Sequence, residues 1–282
     1  MKIKTFTNLL FMIPIFSLSA QNRYSLDLDV KTEPTEEITI NETGIGFTIS
    51  WNMDQKIKVT NTLKYKNVGV NYQLENYTLQ NNLNQFNSFS DTFGFSRQLT
   101  KKTKLNFEIE PIANFESNLN LSDVTLLGGL EISHTINASN RISIGVKRMT
   151  IFGKPQIDPT FSFYHQINEK ASIEIGFPNA AISYSNNIRN KFSLINSFAG
   201  SYYNLDQSMV LGDLNTITKL SFSQITTALE YERNVDTNWF VNLKGGYGFN
   251  RSYNLTDNNG NTKIDFNIDN GYLFNIGIKY KH

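Results

Sequence analysis

The side chains best suited to chemistry in this 282-residue sequence are three histidines, His134, His165 and His282. No HExxH pattern occurs, and no two histidines have the separation typical of metal ligands. There is no cysteine, which excludes disulfides and thiolate metal sites. His134 and His165 each lie beside a predicted short turn, which favours structural roles at the rim of the fold. The histidines therefore predict no metal site.

One run of oxygen-bearing side chains could in principle hold calcium, namely Asp257-Asn258-Asn259-Gly260-Asn261. It lacks both the ligand spacing of an EF-hand and the distal glutamate that such a loop needs. We therefore interpret this run as a solvated surface turn.

Hydrolytic chemistry would need a serine or aspartate nucleophile, a histidine base and a third group that orients the base. Serines are numerous, but the sequence has no GxSxG pattern. The glycine-containing stretches GGLE, KGGYGFN and GNTK lack the strand-to-helix context of a phosphate loop. We expect no catalytic residues, no enzymatic activity and no cofactor, and a lipid hydrolase is the least favoured function.

The most informative polar groups are charges that alternate with apolar residues. Glu108, for example, lies between Phe107 and Ile109. Because successive side chains of a strand point to opposite faces, such charges share one face and the apolar residues the other. A charge facing lipid near the middle of a membrane costs about 2–4 kcal/mol. We therefore predict that the following residues line a lumen: Lys104, Glu108, Glu110, Glu131, Arg141, Lys147, Glu230 and Lys244.

The elements that position these charges have a period of two almost throughout. The chain ends on such a run, from Tyr272 through Phe274, Ile276 and Ile278 to Tyr280, and no segment has helical spacing of apolar residues. A final strand that alternates to its end is needed to pair with the first and close a barrel without a free edge. We predict an all-β fold, a closed antiparallel transmembrane β-barrel of about 14 strands. Omitting the N-terminal strand and the hairpin around GFPNAAISYS leaves 12 strands as the alternative.

The predicted connections also alternate in length. Short polar turns occur at NMDQK, TKKT, NASN, NEK and NVDTN. Longer irregular stretches are EPTEEITINE, Glu75–Gln85, Leu205–Leu214 and LTDNNGNTK. Short turns on one side and long loops on the other are typical of bacterial outer-membrane barrels.

The first residues indicate export. A basic start at Lys2 and Lys4 precedes an apolar run over residues 9–16 and the small residues Ser17-Leu18-Ser19-Ala20. This is the layout of a secretory signal peptide, so we assign residues 1–20 to the signal, with cleavage after Ser19 or Ala20. Residues 21–282 then form a single barrel domain. The net charge of +1 gives no reason to expect nucleic-acid binding.

A soluble β-protein, secreted or periplasmic, would alternate in the same way, with its apolar face inside. The export signal and the aromatic residues at strand ends, such as Trp51, Trp239 and Tyr280, favour the membrane. We expect a protein of the Gram-negative outer membrane, in contact with its lipid. Its aromatic-rich C-terminal strand would be recognised by the barrel assembly machinery, although Lys281 and His282 follow the last aromatic residue.

Four segments, IGFPNAAISYS, YERN, GGYGFNRSYNL and GYLFNIGIKY, resemble a family of uncharacterised outer-membrane β-barrel proteins. This family is known as a domain of unknown function and is often found in flavobacteria-like Gram-negative bacteria. The resemblance spans most of the mature chain through loose glycine-aromatic patterns. It implies the barrel fold and the outer-membrane location, and no activity.

We interpret the protein as a narrow passive channel for small polar solutes of unknown identity. The alternative is a non-conducting structural or surface-interaction barrel that acts through its extracellular loops. The inward charges fit a selectivity lining, and they equally fit a polar network that only stabilises the barrel. A lumen filled by side chains would favour the second function.

Overall fold

A computed structural model describes residues 23–73, 83–211 and 215–282 of the chain, and for residues 209–215 it describes no side chains. The predicted signal at 1–20 lies outside the described residues, as does most of the predicted Glu75–Gln85 loop. Within these three ranges, no helix has the length and apolar character needed to cross a membrane.

Fifteen β-strands make up nearly all of the described structure. They are β1 (Arg23–Pro34), β2 (Ile38–Asn52), β3 (Ile57–Tyr72), β4 (Gln85–Gln98), β5 (Thr103–Phe115), β6 (Val124–Thr135), β7 (Asn140–Met149), β8 (Gln156–Gln166), β9 (Ala171–Phe177), β10 (Asn179–Asn187), β11 (Asn190–Leu211), β12 (Asn215–Asn234), β13 (Trp239–Thr256), β14 (Thr262–Asp265) and β15 (Gly271–Lys281). A short 3-10 turn, Leu121–Asp123, precedes β6.

The strands close into a ring of 14. Each strand from β1 to β13 pairs antiparallel with the next, β13 pairs with β15, and β15 pairs with β1, with Leu28 opposite Ile278. The four-residue β14 only extends the edge of β13. The prediction of about 14 strands is confirmed, because β1 and the β9–β10 hairpin, whose omission would leave 12, are both present. The alternating C-terminal strand pairs with the N-terminal one and leaves no open edge.

The apolar side chains face outward. Phe107 is 42% exposed and Ile144 is 66% exposed, whereas Ser133 and Ser143 are buried on the inner face and share a hydrogen bond of 2.9 Å. A soluble protein rarely exposes a continuous belt of aliphatic and aromatic residues of this size to water. In a membrane barrel such a belt contacts lipid, so the outward face is the membrane-facing one, as the sequence predicts.

Aromatic rings gather at the end of the barrel that carries both chain termini, here called the termini end. The ring of Tyr280 lies 5.1 Å from that of Trp239 and 6.0 Å from that of Tyr24. Nearby, the rings of Phe192 and Tyr231 stack at 4.9 Å. Such amphipathic rings are typical of the membrane–water interface.

The end of the barrel opposite the termini is here called the loop end. Two of the long loops predicted there are wrong, because most of their residues belong to strands. In EPTEEITINE, only residues 35–37 connect β1 to β2, and the rest of the stretch is strand. In Leu205–Leu214, β11 continues to Leu211. Both segments are polar because the sheet continues beyond the apolar belt. Their composition marks where the strands leave the belt, not where the strands end.

The upper ends of β11, β12 and β13 leave the wall and cross the mouth of the barrel. β11 pairs with β10 only over residues 190–197, and its Asn204 pairs in parallel with Phe115 of β5, although five strands separate β11 from β5 around the wall. β12 and β13 remain paired with β11 and with each other as they cross. We call residues 198–208, 216–223 and 252–256 the crossing sheet.

One face of the crossing sheet packs against the inner faces of β2, β3 and β4. The rings of Tyr203 and Phe86 are 5.0 Å apart, and the hydroxyls of Tyr72 and Tyr253 share a hydrogen bond of 2.6 Å. The buried core here comprises Ile38, Ile40, Val68, Val70, Leu83, Phe86, Tyr203, Ile217, Leu220, Tyr253, Leu255, Phe266 and Ile268. Each large apolar side chain buried in this way contributes about 1.5–3 kcal/mol. The loop end is therefore closed by packed side chains on the side of β2–β4.

Candidate functional site

A polar cavity of about 660 Å³ lies inside the other half of the barrel, against β5 to β10. At the termini end its lining begins at Gln98, Lys102 and Thr135, beside the short turns. At the other end it reaches Met149–Ile151 and Phe177–Asn179, at the tops of β7 and β9. The cavity therefore runs the full height of the shortest strands in the wall.

Six of the eight predicted lumen residues line this cavity together: Lys104, Glu108, Glu110, Glu131, Arg141 and Lys147. Lys102 and Glu174 join them, so the lining has four cationic and four anionic side chains. Arg148 also borders the cavity, but the register places its side chain on the outward face opposite Ile157, where it donates to the Leu126 carbonyl at 2.7 Å. The other two predicted residues, Glu230 and Lys244, lie opposite each other on the inner face of β12 and β13. They do not contribute to this cavity, and the predicted role of all eight in selectivity stays a prediction.

The closest approach of opposite charges in the cavity is between Lys147 and Glu108. Their Nζ and Oε2 atoms are 3.8 Å apart, and both side chains are partly exposed to the cavity. Gly129 of β6 lies between them in the sheet, and a β-carbon there would overlap Cγ of Lys147. The glycine therefore lets the lysine lie flat across β6 and reach the glutamate.

Several uncharged polar groups of the lining bond to one another. Ser96 donates to Oδ1 of Asn106 at 2.9 Å, and Nδ2 of Asn106 donates to Ser133 at 3.2 Å. At the termini end the guanidinium of Arg141 lies 4.9 Å from the ring centre of Tyr164. Because the wall satisfies these groups internally, the charged groups are the ones available to water and solutes. A second cavity of about 360 Å³ adjoins the first through Asn106, Glu108, Glu131 and Lys147.

The opposite half of the interior is filled below the core by a chain of charges. Glu33 is 1% exposed, and its carboxylate contacts Nζ of Lys31 at 2.9 Å and Nη2 of Arg251 at 3.2 Å. Lys31 also lies 3.2 Å from Glu42, which lies 2.9 Å from Lys66. The core above and this network below therefore occupy the interior on the side of β1–β3 and β11–β13.

The sequence pattern does not place Arg251 in this network, because a β-bulge changes the alternation on β13. The register slips between Ser223 and Ile225 on β12, and Asn250 on β13 has a φ of 50°. Strict alternation places Asn250 on the inner face with Lys244, whereas the bulge turns Arg251 inward instead. In the sequence, the only sign of this shift is the asparagine itself, a residue type that adopts positive φ more readily than most.

The wall is lowest above the β9–β10 hairpin, and the β7–β8 loop fills the gap. Thr150 donates its hydroxyl to the carbonyl of Gly200 at 3.1 Å, and Ser221 donates to the carbonyl of Gly153 at 2.6 Å. A β-carbon at Gly200 would overlap the backbone of this loop. The loop is therefore attached to the crossing sheet rather than to the strands beneath it.

An aromatic cluster covers the outer side of the same gap. The ring of Phe152 lies 5.9 Å from that of Phe198 and 6.2 Å from that of Phe177. Phe177 and Phe198 are 5.1 Å apart. Since Phe177 also borders the cavity, the loop and these rings separate the upper end of the cavity from the surroundings of the barrel.

The three histidines all lie at the termini end, as predicted for His134 and His165. Nδ1 of His134 is 3.1 Å from the Thr103 hydroxyl, and Nδ1 of His165 is 2.8 Å from Oδ1 of Asn140. His282 stacks on Tyr24 at 4.9 Å. Among the residues that the structure describes, no group of three or more histidine, aspartate or glutamate side chains is placed to hold a metal ion.

At the loop end, the turn after β13 is held by Asp257. Its carboxylate accepts the side-chain N–H of Asn261 at 3.0 Å and the backbone N–H groups of Asn261 and Asn259 at 2.9 Å. Lys263 is 3.3 Å away. These hydrogen bonds, that of the Asn261 side chain first, lower the pKa of Asp257 to about 2.

Two further carboxylates at the loop end have shifted pKa values. For Glu37, burial alone would raise the pKa. Hydrogen bonds to its carboxylate, of which the one from the Asp269 N–H at 3.1 Å has the largest effect, outweigh burial and lower the pKa. For Glu116, burial raises the pKa, and the nearby carboxylate of Asp206 adds to the increase. Glu116 accepts the Asp206 N–H at 2.9 Å, a contact that ties the loop after β5 to the crossing sheet.

Comparison with known proteins supports the fold and assigns no activity. A model of the family described as "Domain of unknown function (DUF6268)" matches residues 18–281. No protein with a curated description matches the chain.

Among solved structures, the chain is similar to the TodX monoaromatic hydrocarbon channel deltaS2 mutant, with a TM-score of 0.51, 11% identity, and coverage of 93% of this chain and 90% of that one. It is also similar to the COG4313 outer membrane channel from Pseudomonas putida F1, with a TM-score of 0.49, 5% identity, and coverage of 93% and 95%. For the KdgM porin the TM-score is 0.39, the identity 9%, and the coverage 90% and 98%. At these identities the similarity concerns the fold alone. The TodX structure, with a TM-score above 0.5, is the comparison that supports the barrel fold.

Proposed function

The chain belongs to the family described as Domain of unknown function (DUF6268), and since that description carries no activity, we propose one from the barrel itself. The protein is a narrow passive channel for small polar solutes, exported by the signal at residues 1–20 and inserted in the outer membrane of a Gram-negative bacterium. The observation that carries the proposal is the 660 Å³ cavity with charges of both signs.

The height of the cavity supports a path across the membrane. A strand needs about 9–11 residues to cross a bilayer, and β7, β8 and β10 have 10, 11 and 9 residues. The cavity extends along this wall from the termini end to the loop at residues 150–154. Solutes would enter beside Lys102 and leave where that loop meets Phe177 and Pro178.

The lining favours polar over apolar solutes. TodX is a monoaromatic hydrocarbon channel, and a hydrocarbon path would need an apolar lining. Here eight ionisable side chains surround the space, and transferring a hydrocarbon between them would leave those charges poorly solvated. Mixed signs also predict weak discrimination between small anions and cations.

Reconstitution into planar bilayers tests the channel. We expect small conductance steps from protein whose folding is verified by its heat-dependent shift in gel mobility. Cell fractionation, with an N-terminal sequence starting at residue 20 or 21, tests the export and location separately. Absence of steps from correctly folded protein would remove the channel proposal and leave the location intact.

The crossing sheet favours a second candidate, a non-conducting barrel that presents its loop end to other molecules. On one side, the core between the crossing sheet and β2–β4 closes the mouth. On the other side, the crossing sheet reaches the β5–β6 loop, where Nδ2 of Asn204 donates to Oδ1 of Asp123 at 2.7 Å. The bilayer experiment separates the two functions. Protein that stays silent even after the 150–154 loop is removed would support the second.

A further inference from the structure

Two polar side chains lie on the membrane-facing surface of β3 and β4. The register places Asn61 opposite Phe93 and Leu63 opposite Asp91, all on the outward face. Nδ2 of Asn61 donates to Oδ1 of Asp91 at 2.5 Å. Both side chains are half-buried by their apolar neighbours and remain accessible from the membrane side.

Asp91 lies near the middle of the apolar belt. The outward residues of β4 run from Asn87 through Phe89, Asp91, Phe93 and Phe95 to Arg97. That stretch matches the roughly 10 residues of one membrane crossing. Elsewhere within the belt, the outward charges of the described strands are arginines at strand ends, namely Arg97, Arg148 and Arg233. Asp91 is therefore exceptional in its depth.

Acyl chains offer no hydrogen-bond partner to a carboxylate, so an intramembrane ionisable group is expected to have a polar partner. Asn61 supplies one N–H. Within the described part of the chain, the second amide hydrogen of Asn61 and Oδ2 of Asp91 have no hydrogen-bond partner. A donor and an acceptor thus lie side by side with unused capacity, and together they are complementary to a rotated copy of themselves.

We propose that a second copy of this chain covers this surface, with β3–β5 of one copy against β3–β5 of the other around a two-fold axis. In this arrangement the Asn61 amide of each copy donates to the Asp91 carboxylate of the other, as an isologous interface requires. Lipid gives apolar surfaces little reason to associate, so polar contacts and close packing drive association within a membrane. Pro111, exposed on β5 next to Asp91, adds a rigid, flat side to the contact.

Disulfide cross-linking tests the interface cleanly because the chain has no cysteine. Leu63→Cys places a thiol beside the proposed axis, and Ile182→Cys places one in the belt on β10, on the far side of the ring. In native membranes treated with a mild oxidant, we expect a covalent dimer from Leu63→Cys and none from Ile182→Cys. Equal cross-linking at both positions, or none at Leu63→Cys, would overturn the proposal.

A second measurement separates association from folding. We expect light scattering in detergent to give the mass of two chains for the wild type and for Asp91→Asn, which keeps a polar partner for Asn61. Asp91→Leu should be folded and monomeric, and it should abolish the Leu63→Cys dimer. If Asp91→Leu fails to fold, Asn61→Leu serves the same purpose. A wild type of single-chain mass, an Asp91→Leu protein that still dimerises, or cross-linking of Leu63→Cys only to a different protein would refute the interface, whatever the conductance.

Discussion

The two halves of the barrel interior use charged residues in opposite ways. Against β1–β3 and β11–β13, Glu33 and Arg251 are sealed between partners, with side-chain exposures of 2% and 0%. Against β5–β10, Glu108 and Lys147 keep 39% and 29% of their side-chain surface exposed and approach only to 3.8 Å. Polar and apolar residues alternate along the strands of both halves, apart from the bulge at Asn250 on β13. What differs is whether another part of the chain crosses above the charges.

The crossing sheet causes this difference. Where it packs on β2–β4, it excludes water, and the charges below pair within the protein, although Nε and Nη1 of Arg251 have no hydrogen-bond partner among the described residues. Along β5–β8 it contacts the wall near the rim, where Asn204 pairs with Phe115, and the charges below this contact keep their water and need no close partner. The same residue types therefore form a structural network in one half and a solvated lining in the other.

Removing one member of the sealed network should have the largest effect. In Glu33→Ala, Arg251 and Lys31 lose their shared carboxylate in a water-poor site, and breaking a buried pair in this way costs roughly 3–5 kcal/mol. Urea unfolding followed by tryptophan fluorescence in detergent measures the free energy of unfolding. The matched control, Glu131→Ala in the solvated cavity, should cost about 0–1 kcal/mol. Equal losses would mean that the two halves do not differ.

Opening the gap above β9–β10 should have the next largest effect. Replacing residues 151–153 by a two-glycine link removes Phe152 and the bond between Ser221 and the Gly153 carbonyl. We expect a several-fold increase in single-channel conductance, because this loop covers the upper end of the cavity. Shortening the turn at residues 35–37, above the filled half, is the control and should leave conductance unchanged. If conductance rose only after the turn at residues 35–37 was shortened, the solute path would lie in the half of the interior against β1–β3 and β11–β13 instead.

Single charges in the cavity should change selectivity modestly. Lys147→Ala removes one of four cations from the lining, and Glu131→Gln removes one of four anions. Reversal potentials measured across a salt gradient should shift toward cation preference in the first and toward anion preference in the second. Lys244→Ala, on the inner face but outside this cavity, should not shift them. An equal response to Lys244→Ala would show that solutes pass along β12–β13.

The sequence predicts closure, strand number and facing of this barrel because these depend on a local period of two and on pairing of the ends. It also predicts six residues of the cavity, from Lys104 to Lys147, since no bulge interrupts the alternation near them. It does not predict the crossing sheet. Asn204 pairs with Phe115 across the mouth, and such a contact depends on how strands bend after leaving the belt. The Glu33–Arg251 pair was missed for the same reason, together with the bulge at Asn250.

The smallest effect should come from Asp257, which lies in the turn after β13, outside both halves. Its pKa is about 2 in the folded protein, against an ordinary value of 3.8. A carboxylate whose pKa is lowered by folding stabilises the fold fully above its unfolded pKa and loses that contribution as the pH falls through the folded pKa. The amide nitrogen shifts of Asn259 and Asn261 should therefore titrate near pH 2, and Asp257→Asn should abolish that titration without affecting the barrel. A midpoint near 3.8 would mean that the turn does not hold the carboxylate.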